Sequence, residues 1–159
     1  MNLFPFFAWL EGSWLGVFVK DKAATFAIIE AMHLMALAVL GGSVVAADLR
    51  LLGVVLREVP SNVVNDNAHR LFRIALCVLI ATGIPMLAGV ATKCYHNPFY
   101  WVKMLALATG IVFVFALRRP LLKRDHASIN PWTLRMLALA SLSIWFLVAA
   151  SGRWIGFSG

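Results

Sequence analysis

His33 is the side chain in this sequence best placed for chemistry. It stands in the middle of Ala23–Ala47, an apolar run whose only other ionisable residue is Glu30. An ionisable group at membrane depth is costly, and by default it marks a functional site. Thioethers surround it in sequence, with Met32 before it and Met35 after it. Imidazole plus thioether is a soft, neutral ligand set, suited to low-spin haem iron or to Cu(I). The candidate cofactor ligands are His33, Met86, Met104, His96 and Glu30, and for copper the metal set is His33, Met32 and Met86. Glu30, at i, i+3 from His33, shares its helix face and could form a proton-relay pair with it or orient the imidazole. A plain hydrogen bond from His33 to a neighbouring helix is an equally open reading.

Depth along the helices selects the partners that could reach His33. The imidazole lies about ten residues, roughly 15 Å, below the end of its helix. Met86 is expected roughly 7–8 Å and Met104 about 6 Å below the same face. His96 lies in the loop Lys93–Pro98 and could approach only if that loop folds inward. His69 and His126 belong to the opposite side. Cys77 and Cys94 lie too far apart for a CxxC motif, and the helix between them argues against a disulfide. Cys77 reads as a small apolar filler, and Cys94 as an exposed thiol. No GxSxG, HExxH or phosphate loop appears, nor any carboxylate pair at catalytic spacing. The chain therefore reads as a non-catalytic subunit rather than an enzyme by itself.

The elements that must hold these groups are membrane helices. The 159 residues are 62% hydrophobic, against about 45–50% in soluble domains, and the mean hydropathy is +0.85. Four runs are long enough to span a bilayer: Ala23–Ala47, Leu71–Ala91, Phe99–Leu117 and Trp132–Ala150. Backbone polar groups must pair internally in lipid, so each run is a helix. The expected fold is all-α: a single integral membrane four-helix bundle with an N-terminal amphipathic interfacial helix over about residues 3–18. Leu3, Phe7, Leu10, Trp14 and Phe18 form the apolar face of that helix. Gly83 and Pro85 predict a kink in the second span. The first residues lack the charge pattern and cleavage site of a secretory signal, so the chain is expected to be retained whole.

Charge sets the orientation. Nine Lys and Arg (Arg50, Arg57, Arg70, Arg73, Arg118, Arg119, Lys123, Arg124, Arg135) flank one side and five (Lys20, Lys22, Lys93, Lys103, Arg153) the other. The positive-inside rule places the nine in the cytoplasm and both termini outside, which in a bacterium is the periplasm. Trp9, Trp14, Trp101 and Trp154 then form an outer belt, and Trp132 marks the inner interface. The net charge of +7 thus serves topology and anionic headgroups, which excludes nucleic acid as the expected partner. Asp48 and Arg50 read as interface residues that could also pair with the basic loop between spans three and four.

Several strings carry a family resemblance: His33-Leu34, Gly41-Gly42-Ser43, Asp48-Leu49-Arg50-Leu51-Leu52-Gly53, Thr82-Gly83, Asn97-Pro98-Phe99 with Lys103, and Gly152-Arg153-Trp154-Ile155. In these the chain resembles an uncharacterised family (a domain of unknown function) of small four-helix bacterial inner-membrane proteins. The resemblance covers most of the chain and implies the fold rather than an activity. In plan it is loosely similar to copper-resistance D proteins and to cytochrome b561-like membrane proteins, which also carry a histidine in an early helix. It departs from the latter by lacking paired intramembrane histidines.

These readings lead to a small membrane subunit of a respiratory or periplasmic redox complex, with the lipid bilayer and other subunits as partners. It would anchor a partner and bind one haem b through His33, with quinone or a periplasmic electron-transfer protein as electron partner. A copper-handling or transport protein using His33 and methionines is the first alternative. A cofactor-free structural or assembly subunit is the second.

Overall fold

The computed structural model describes residues 2–123 and 129–157; Arg124 and His126 lie outside the described residues. All regular structure among the described residues is helical. Two short helices, α1 (Phe4–Gly12) and α2 (Trp14–Asp21), precede α3 (Ala23–Leu51) and α4 (Ser61–Gly89). A single short helix, α5 (Ala91–His96), leads to α6 (Pro98–Val112). The third span continues as a π-helical segment, Phe113–Arg118, and α7 (Arg119–Leu122). The last helix is α8 (Pro131–Phe157). Ala23–Leu51, Ser61–Gly89, Pro98–Leu122 and Pro131–Phe157 are each long and apolar enough to cross a membrane, the build of a multi-pass membrane protein.

Each span outruns its apolar stretch. The second begins at Ser61 rather than Leu71, because its polar first turns stay helical and still bury Ala68. It also runs on through Pro85, which lacks an N–H and so leaves the Ala81 carbonyl without its helical donor. Two spans start with the same device. Asn97 accepts from the Phe99 N–H at 3.0 Å and Asn130 from the Trp132 N–H at 2.9 Å, with Pro98 and Pro131 between. An Asn cap followed by Pro satisfies or removes the orphan donors of a helix start.

In lipid, helix association rests on close packing rather than on a hydrophobic drive. The helices pair α3 on α4, α6 on α8 and α3 on α8. Gly110 lets α6 reach α8, since a Cβ there would stand 3.1 Å from Trp145 Cζ2. Leu40, Val44, Phe72, Ala106, Val114 and Trp145 lie in the buried centre. Large rings bridge α4 to the π segment and to α8: His69 and Phe115 centroids are 5.5 Å apart, and Phe72 meets Trp145 at 5.1 Å. The five tryptophans expected at the interfaces are all exposed.

The N-terminal region differs from the single interfacial helix expected over residues 3–18. It breaks at Ser13, whose extended backbone and side chain cap α2 by accepting from the Gly16 N–H at 3.3 Å. Phe7 of the expected apolar face is buried, as are Gly16 and Val19, while Trp14 is 77% exposed. At Gly16 a Cβ would meet the Glu11, Leu10 and Ala88 carbonyl oxygens. The two helices therefore sit tightly over the ends of α4 and α5.

Candidate functional site

His33 lies half-buried on α3 and turns toward α4. Its Nδ1 stands 2.8 Å from Thr82 Oγ1, and a Cβ on Gly83 would lie 3.4 Å from its Cε1. The Thr82-Gly83 pair thus supplies a polar contact and the room for the ring. Thr82 Oγ1 also lies 2.7 Å from the Val78 carbonyl, which can only accept. With the hydroxyl proton on that carbonyl, Thr82 accepts from His33 Nδ1–H. Nε2 is left with its lone pair. That is the state in which a histidine binds a metal or takes a proton, with its other nitrogen held in place.

The remaining expected ligands divide. Met86 follows Thr82 by one turn on the same face of α4 and is half-buried. Met32 and Met104 are 50% and 41% exposed, on outward faces of α3 and α6. Glu30 is exposed and has no hydrogen bond or ion pair among the described residues. The expected Glu30–His33 pair does not form, because the imidazole is turned to α4 while Glu30 points away; Thr82 does the orienting. His96 does not fold inward either. Its Nδ1 lies 2.9 Å from the Thr92 carbonyl, and its ring packs on Phe4 and Tyr95. No group of three or more His, Cys, Asp or Glu suited to a metal occurs among the described residues.

Both cysteines are free, and their environments are the reverse of those expected: Cys77 is exposed and Cys94 is buried. Cys94 packs with Phe7, Ala91 and Tyr100 beneath the N-terminal helices. Burial pushes its thiol above the usual range, so it is a poor nucleophile at neutral pH.

Two further features stand apart from His33, and the first escaped sequence reasoning. Glu11 latches the N-terminal helices to α5: Oε2 accepts from the Thr92 backbone N–H at 2.8 Å and from its hydroxyl, while Oε1 meets Lys20 Nζ at 2.8 Å. Hydrogen bonds from Lys20 first, then from the Thr92 hydroxyl and N–H, lower its carboxyl to about 2. The second is a polar cluster at the opposite end of the bundle from His33. Asp48 there is fully buried and lies 2.7 Å from Arg118 Nη2, so it does reach the basic end of span three. Arg50 instead donates to the Val59 carbonyl at 2.9 and 2.8 Å and closes the loop after α3.

The strings that carry the family resemblance meet in space. His33 joins Thr82-Gly83, and Asn97 Nδ2 reaches the Ile155 carbonyl at 3.5 Å. Lys103 lies along Gly152, where a Cβ would stand 3.6 Å from Nζ. No curated protein and no solved structure matches the chain. Residues 6–158 match a family of unknown function, DUF6644. With nearly its whole length matched, the chain belongs to the DUF6644 family.

Proposed function

We propose that this protein is a small membrane subunit of a redox complex in a bacterial inner membrane, with both termini on the periplasmic side. His33 Nε2 would be the nitrogen that holds a single haem b. The observation that supports this is the hydrogen-bond direction at Thr82, which fixes the imidazole hydrogen on Nδ1 and leaves Nε2 as a base. Met86 on the facing helix is the methionine of the expected set that is not exposed. A His/Met pair is a known haem ligation mode. Bound haem would supply one-electron transfer. The protein's part is to hold the imidazole's orientation and place it in the outer half of the bundle, within reach of quinone or a periplasmic electron-transfer partner.

The test is a reduced-minus-oxidised visible spectrum of gently purified protein, with metal analysis of the same sample. A sharp α-band with stoichiometric iron, lost in His33→Ala, supports the proposal. A colourless protein holding copper that weakens in Met86→Leu replaces it with copper handling. A featureless, metal-free sample that tolerates His33→Gln leaves a structural subunit.

A further inference from the structure

The cluster at the far end of the bundle is incomplete as protein alone. Asp48 and Arg118 are 0% and 9% exposed, and their contact is an ion pair. Beyond that contact and the Ser141 hydroxyl at Asp48, Arg118 Nε is left buried without a hydrogen-bond partner. His69 Nε2 is in the same condition. Burying polar atoms without partners is costly, most of all when they are charged. Such a cluster calls for something to complete it.

A cavity of about 10 Å³ opens among Ser43, Val44, Ala68, His69, Phe72 and Arg118. That is the scale of one water molecule, and a buried water needs two to four polar partners. Three are at hand. The Arg118 and His69 side chains both line the cavity. Ser43 Oγ already donates to the Leu40 carbonyl at 2.7 Å, so its lone pairs are what it can present. Val44 and Phe72 close the apolar walls, 2% and 3% exposed. The space is small, and its mixed donors and acceptors suit a molecule that both gives and takes hydrogen bonds.

We propose that this cavity is a binding site for a single water molecule. The water accepts from the Arg118 guanidinium and bonds to Ser43 and His69, joining His69 to the Asp48–Arg118 pair in one hydrogen-bonded chain. The ion pair is thereby hydrated from within, half a bundle away from His33.

Hydroxyl-radical footprinting by X-ray radiolysis of the intact protein in detergent tests this, because radicals arise from water lying beside the labelled ring. Phe72 is the reporter, and Phe7, 5% exposed in the cap, is the equally buried control. In the wild type Phe72 is expected to oxidise faster than Phe7. In Ala68→Val and Ser43→Val, which fill the cavity from different helices, its rate drops to that of Phe7 with helical content unchanged. Phe72 labelling no faster than Phe7, or staying fast in folded filling variants, overturns the site. If both variants fail to fold, the wild-type comparison decides alone.

Discussion

Thr82 and His33 stand in a donor–acceptor order that runs one way: Nδ1–H to the Thr82 hydroxyl at 2.8 Å, and that hydroxyl to the Val78 carbonyl at 2.7 Å. One threonine therefore selects the tautomer of the imidazole, because its single proton is committed to its own helix.

Thr82→Val keeps the shape of the side chain and removes the acceptor. The Nδ1–H then loses its partner, at a cost of about 1 kcal/mol or somewhat more. ¹⁵N NMR of labelled imidazoles is expected to show one neutral tautomer for His33 in the wild type, with Nε2 unprotonated. In the variant it should show a mixture, alongside a lower unfolding temperature in detergent. An unchanged tautomer in Thr82→Val would refute the assignment.

For the buried ion pair, single and double replacements should differ in size. Asp48→Leu leaves the Arg118 charge buried without its counter-charge, and losing one partner of a buried pair costs about 3–5 kcal/mol. Replacing both, as Asp48→Leu with Arg118→Met, removes the charge altogether and is expected to recover most of that loss. Denaturation midpoints of the two singles and the double form the cycle. Additive losses would mean that the two charges do not depend on each other.

The Glu11 latch carries a pH signature. Its carboxyl is held at about 2, below the ordinary value of 4.5. The docked state thus binds fewer protons than the undocked one, so docking is at full strength above about 4.5 and weakens as pH falls toward 2. Amide hydrogen exchange of α1 and α2, corrected for intrinsic rates, should show protection fading through that window. Glu11→Gln should show weaker protection without the slope. Flat wild-type protection across the window argues that the carboxylate does not hold the cap.

The spans could be read from the sequence because lipid demands long apolar helices and little else looks like them. Their ends could not: residues 61–70 are polar, and nothing local says that they continue the helix that buries Ala68. His33 stood out by depth alone, whereas Thr82, its partner 49 residues on, looked like one small residue among many. The expectation that Asp48 could pair with the basic loop held: the acid sits at the end of an apolar span, and Arg118 stands at the matching end of span three. The Glu11 latch spans 81 residues and involves an acid that looked like an ordinary polar-face residue. The break at Ser13 was legible in principle, because serine is a preferred helix cap; the even spacing of apolar residues across it masked the signal.

The wide turn at Phe113–Arg118 has a consequence for how span three can change in length. Each α-helical residue advances the chain by about 100° around its axis, and a π turn absorbs one extra residue within the same span. Removing a single residue from this stretch would let it relax to ordinary helix while the residues beyond it keep their angle, so that Arg118 stays facing Asp48. The same deletion from a purely α-helical part of the span would swing everything beyond it by about 100°. The segment thus uncouples the length of the span from the angular phase of its basic end.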